Sequence, residues 1–254
     1  MRRTCDPPAA RFAIDLYWLP LGAGGRSVRL NGRVFEWLAA RRSGRPALDL
    51  YHAALEVHVP EGPVVIEMTP VPDRDGRLRG VVGEGPVGSR RTRRLRFLRY
   101  ELRRWQGGVI PDAAEAVASP VRLSENEAQA RCLLDLVPLV PTAVWGRDEL
   151  GTGEMWTSNS VTSWLLARSG VDVDQITPPT GGRAPGWSAG VVAARCERAG
   201  APWTASDPAV ATRTIAATVP ASSKCSSAGV ARPTARLARC SLERRRFARC
   251  RRSG

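Results

Sequence analysis

The stretch LDLYHAALEVHVPEGPVVIEMTP, residues 48–70, constrains the fold more than any other part of the chain. Two apolar runs flank Pro60-Glu61-Gly62-Pro63, a turn-forming tetrad that stops both. The text therefore predicts a β-hairpin with strands over 49–59 and 64–69. Side chains alternate along a strand, so Tyr51, Ala53, Leu55, Val57 and Val59 share one face, while Leu50, His52, Ala54, Glu56 and His58 share the other. The first set is uniformly apolar and should face the core. The second holds both histidines of the chain and a carboxylate on a more polar side.

The flanking text supplies partners for this hairpin. FAIDLYWL, residues 12–19, has the aromatic and branched content of a first strand, and the glycine-rich LGAGG after it is a turn, lacking the full dinucleotide fingerprint and its βαβ context. GRVFEWLAARRSG, after Asn31, has helical spacing. Residues 73–94 are rich in Gly, Asp and Arg and read as a long loop. LRFLRYELRRWQGG fits either period and is assigned as a strand closed by Gly107-Gly108. Ser124 and Glu127 have capping-box spacing for a helix running to Val137. Val161, Trp164, Leu165 and Arg168 line one face of a second helix with Ser158, Asn159 or Ser160 as its N-cap and Gly170 at its end. WSAGVVAARC, residues 187–196, resembles a final buried strand. The expected fold class is α/β (α+β), an antiparallel sheet with packed helices, over residues 1–200.

Beyond residue 200 the periodicity disappears. Residues 201–254 hold 11 Lys or Arg against two acids and so carry +9 of the net +14, leaving +5 for the rest. This segment is read as an unstructured basic tail, as the product of a frameshift in a GC-rich bacterial gene, or as a nucleic-acid arm. Lys224 is the only lysine among 38 basic residues, a bias that genome composition explains without phosphate recognition. The six cysteines form no CxxC pair and no zinc-spaced cluster, so no metal or other cofactor is expected. The most apolar run, LLDLVPLVPTAVW, is interrupted by Asp135, Pro138 and Pro141, and the expectation is a cytoplasmic protein without a membrane partner.

No Walker loop, HExxH or GxSxG elbow occurs. What remains is a strand-borne histidine in YHAALEV and, about a hundred residues later, a helix start in WTSNSVTSWLL. A helix N-terminus presents unpaired amides and a favourable dipole to developing negative charge, and a histidine on an adjacent strand can serve a nucleophile there as general base. This order resembles the circularly permuted papain-like superfamily, which includes lecithin retinol acyltransferase-type enzymes and PPPDE-type peptidases. The resemblance covers roughly residues 12–196. It implies that Ser158 stands where the nucleophilic cysteine belongs, with His52 as base and Glu67 as the third polar group, Glu56 or His58 being weaker candidates for that role. The amides around Asn159 and Ser160 would form the oxyanion hole.

The expected cysteine is absent, and a serine hydroxyl needs its base far more than a thiol does. Two functional classes follow. One is a hydrolase- or acyltransferase-like protein acting on an amide, ester or thioester of a small-molecule or peptide substrate, or a pseudoenzyme that kept the fold. The other is a non-catalytic binding module that uses the arginine run from Arg90 to Arg104, or the tail, for nucleic acid or an acidic partner. Structural readings compete at each residue: Ser158 and Ser160 as caps, Glu67 as a solvated strand residue, Trp156, Trp164 and Trp187 as core.

Overall fold

The computed structural model describes residues 11–21, 36, 40–70, 80–110, 112–149 and 151–199. The predicted turn at 22–25, most of the helix predicted after Asn31 and the basic segment 201–254 lie outside this set; Glu36 and Ala40 to Arg42 of that helix are described and are helical.

The hairpin forms as its text predicts. Strand β2 spans Asp49–His58 and β3 spans Val64–Pro70, paired antiparallel with Leu55 opposite Ile66. Strand β1, Ala13–Pro20, lies antiparallel along the other side of β2, with Leu19 opposite His52. Strands β4 (Val81–Pro86), β5 (Arg99–Gln106) and β6 (Val121–Ser124) extend the sheet to the order β4-β5-β3-β2-β1-β6, and the short β7 (Gly182–Arg183) adds in parallel beside Asp49 and Leu50 of β2. The segment read as a loop over 73–94 thus contains β4 and a 3-10 turn at Arg90–Arg94; two glycines in VVGEGP hid the strand. Glycine is required there, since a Cβ at Gly85 would meet the Tyr100 ring at 2.2 Å.

Three fully described α-helices cover one face of the sheet: α1 (Glu127–Leu136), α2 (Ser158–Ser169) and α3 (Trp187–Arg198). The start of α1 differs from the capping box expected of Ser124. Asn126 is the N-cap, accepting from the Gln129 amide, and Ser124 instead ends β6. At α2 the cap is Thr157, one residue before the candidates Ser158, Asn159 and Ser160, and Gly170 closes the helix at φ 86° as expected. The strand expected over 187–196 is α3. Ala189, Gly190, Ala193 and Ala194 form a stripe of small residues at helical spacing, all buried, which lets α3 lie close against α2. A short apolar run of small residues carries no period that separates helix from buried strand.

The core lies between this helical layer and the sheet face bearing Ile14, Leu16, Trp18, Tyr51, Ala53, Leu55, Val57, Ile66 and Leu102. Trp156 and Trp164 are buried in it and Trp187 packs against its edge. The opposite sheet face has a much smaller apolar cluster, Leu19, Ala54, Val65 and Ile110, roofed by the turn Ala113–Glu115 and its neighbours. No described helix is long and apolar enough to cross a membrane.

Candidate functional site

The start of α2 carries the residues that sequence reasoning favoured, and the structure gives most of them another task. Helix α2 is buried along nearly its whole length, so its polar side chains need partners there. Asn159 Nδ2 and the hydroxyls of Ser160, Thr162 and Ser163 find them in backbone carbonyls of the neighbouring elements, whereas Asn159 Oδ1 has no partner among the described residues. Asn159 Nδ2 donates to Tyr51 O at 3.0 Å and to Pro185 O at 2.9 Å, Ser160 Oγ donates to Gly186 O at 2.7 Å, and Ser163 Oγ donates to Trp187 O at 2.8 Å. Thr162 Oγ1 reaches Ala53 O at 3.4 Å. The contacts to β2 have a topological origin. Strand β3 pairs with β2 only as far as Leu55, and β7 pairs only with Asp49 and Leu50. The carbonyls of Tyr51 and Ala53 fall between the two strands, and α2 side chains take the place of the missing ladder.

The amides proposed as an oxyanion hole are also engaged. Asn159 N–H donates to Thr157 Oγ1 at 3.2 Å and Ser160 N–H to Thr157 O at 3.1 Å, while Ser160 Oγ accepts from Thr157 N–H at 2.9 Å, completing a capping box. Ser158 is buried, and its hydroxyl has no hydrogen-bond partner among the described residues.

His52 sits on the other side of the sheet. Tyr51 and Ala53 contribute to the core beneath α2, whereas Ala54 belongs to the opposite cluster, and alternation places His52 with Ala54. Burial there pushes the imidazole pKa down to about 4, with the charge of Asp112, on the turn that roofs this face, partly opposing the shift. General-base catalysis needs hydrogen-bond reach between base and nucleophile. The sheet stands between His52 and Ser158, and the two are not hydrogen-bonded to each other.

Glu67, Glu56 and His58 share the His52 face but do not join it. Glu67 lies opposite Arg103 in the register and accepts from Arg103 Nη1 at 3.2 Å; Arg103 also donates to Glu101, at 2.8 Å from Nη2, and is itself buried. This is a buried ion trio whose arginine holds the carboxylates in place. Glu56 accepts from Tyr17 OH at 2.9 Å, and burial together with that carboxylate pushes the phenol pKa up to about 12. His58 Nε2 lies 3.0 Å from Asp15 Oδ2 and 3.9 Å from Glu56, and Arg122 clasps Asp15 through Nε and Nη2. Asp15, Tyr17 and Arg122 belong to no motif in the sequence, although the alternation of IDLYW puts Asp15 and Tyr17 on one face. No group of three or more metal-ligating side chains occurs among the described residues.

The arginine run forms a different surface. After β4 the chain makes a 3-10 turn, Arg90–Arg94, and a second one, Arg96–Leu98, before entering β5. Two arginines here are neutralised: Arg90 Nε donates to Glu149 at 2.7 Å and Arg99 Nη1 to Glu84 at 3.0 Å. Arg91, Arg93 and Arg94 are exposed and have no ion pair among the described residues. Arg147, also exposed, joins them from the loop before α2, its Nε donating to Gly88 O at 2.7 Å. Beside these cations Leu95 is 45% and Phe97 65% exposed. Assigning the whole of 95–106 to a strand had made Leu95 and Phe97 ordinary strand residues, and the two 3-10 turns put them on the surface instead. No family model, curated protein or solved structure matches the chain.

Proposed function

We propose that the chain is a non-catalytic nucleic-acid-binding module and that Arg91, Arg93, Arg94 and Arg147 make its phosphate contacts. The observation that carries this reading is the set of four exposed guanidiniums without a carboxylate partner among the described residues, clustered where Val87 bridges to Trp145. Unpaired surface cations are stabilised by a polyanion whose counterions they displace, and arginine forks match phosphate oxygens in geometry. The acyl-transfer reading has less behind it, because Asn159 and Ser160 are consumed in holding α2 and His52 does not reach Ser158.

The test is fluorescence anisotropy of a labelled oligonucleotide titrated with the full chain across about 50 to 200 mM salt. Comparison with the Arg91→Ala/Arg93→Ala/Arg94→Ala variant keeps residues 201–254 as a common background. Each lost phosphate contact removes about 0.7 to 0.9 from the slope of log K against log salt, so the triple variant should lose about 2. An unchanged affinity and slope would refute the proposal and leave any binding to the C-terminal segment.

A further inference from the structure

Deepening the nucleic-acid reading on which it rests, we infer that Phe97 is a stacking platform for an unpaired base, which makes the preferred ligand single-stranded. Phe97 exposes 65% of its surface, although the core beneath β5 had room for its neighbours Tyr100 and Leu102. A phenyl ring gains by leaving water, so an exposed one is open to a partner that covers it. The backbone on both sides of Phe97 is anchored. Leu98 N–H donates to Leu95 O at 3.0 Å, Val87 N–H to Leu98 O at 2.8 Å, and Arg99 Nε to Arg93 O at 2.7 Å. These bonds fix the turn that carries Phe97, so the ring is presented on an anchored backbone and little ordering cost remains on binding.

Charge decides the nature of the partner. Arg91, Arg93 and Arg94, on the 3-10 turn that ends three residues before Phe97, are exposed and have no ion pair among the described residues, so a partner that covers Phe97 and reaches them brings negative charge at short spacing. Single-stranded nucleic acid supplies a π-face and a phosphate at every residue. A duplex supplies the phosphates but keeps its bases stacked on one another, out of reach of a surface ring that does not unstack them. Leu95, 45% exposed, adds apolar surface beside the sugar or base edge.

The experiment uses the full chain with four probes: oligothymidylate and oligouridylate about 12 nucleotides long, a hairpin duplex of similar length, and vesicles with and without anionic lipid. Wild type should bind the single strands more tightly than the duplex. Phe97→Ala should lose about 5- to 150-fold in single-strand affinity with its salt slope unchanged, Phe97→Trp should restore it, and duplex binding should be the same in all three. Because the ring is exposed, thermal melting of Phe97→Ala should match wild type, which separates lost stacking from lost folding. Single-strand affinity unaltered by Phe97→Ala would overturn this inference while leaving the arginine contacts standing. Loss of vesicle binding without loss of oligonucleotide binding would overturn it in favour of a membrane role for the ring. A preference for oligouridylate over oligothymidylate, abolished with the ring, would support stacking on RNA, and the reverse preference stacking on DNA.

Discussion

Replacing Asn159 by Asp removes two hydrogen-bond donors and almost no volume, so it isolates the task the fold assigns to this residue. In the native chain Asn159 Nδ2 satisfies Tyr51 O and Pro185 O, and the residue is only 2% exposed. Leaving a buried carbonyl without its donor costs about 1–3 kcal/mol; the variant takes the side-chain donor from Tyr51 O, while Pro185 O keeps that of Thr157 Oγ1, and it brings a carboxylate against both. One effect opposes this. Position 159 lies in the first turn of α2, where the helix dipole favours an anion by about 0.3–1 kcal/mol. The lost donor and the buried carboxylate win, and Asn159→Asp should be destabilised by about 1–3 kcal/mol at pH 7, read by urea unfolding. In a domain of this size each kcal/mol lowers Tm by about 2–4 °C. The carboxyl of the variant is buried without a cation, so its folded-state pKa is raised, and protonation restores one donor. Part of the lost stability should therefore return as pH falls below that raised pKa, relative to wild type. A variant within about 0.5 kcal/mol of wild type at pH 7 would refute the reasoning, because it would mean that the carbonyls do not depend on Asn159.

Two other perturbations test the fold around the site. His52 titrates near 4 in the folded chain and near 6.5 when unfolded, so the unfolded state binds the extra proton between these values and stability falls as pH drops through that window. The full shift is worth about 3 kcal/mol, which solvent at this half-buried ring reduces to about 1–2 kcal/mol; His52→Gln should lose correspondingly less stability between pH 7 and 4.5, and equal losses in both proteins would count against it. At Gly190, a Cβ would fall 2.0 Å from Ser160 O and 2.2 Å from Ser163 Oγ. Alanine is the better helix former by about 1 kcal/mol, yet the contact is with backbone that cannot swing away, so Gly190→Ala should lower stability by about 1–3 kcal/mol in calorimetry, and a gain would show that α2 and α3 are not packed this closely.

The hairpin, the strand before it and the split of β2 into an apolar and a polar face are legible in the amino-acid order alone, because these follow from alternation and turn chemistry within some twenty residues. That order also shows that a helix begins near residue 158 and ends at Gly170, since caps are local signals. It did not distinguish helix from strand at 187–196, where the period is set only by what the small residues pack against. Nor could it tell a catalytic helix start from a structural one. Serine and asparagine read the same in either role, and the difference lies in the carbonyls of Tyr51, Pro185 and Gly186, which come from distant parts of the chain. Whether His52 faces Ser158 was likewise a tertiary question. Alternation assigned His52 a face, but only the placement of α2 over the other one decided that the sheet lies between them. The exposure of Phe97 has the same origin, since two 3-10 turns end just before β5 begins and leave the ring outside the ladder that would have buried it.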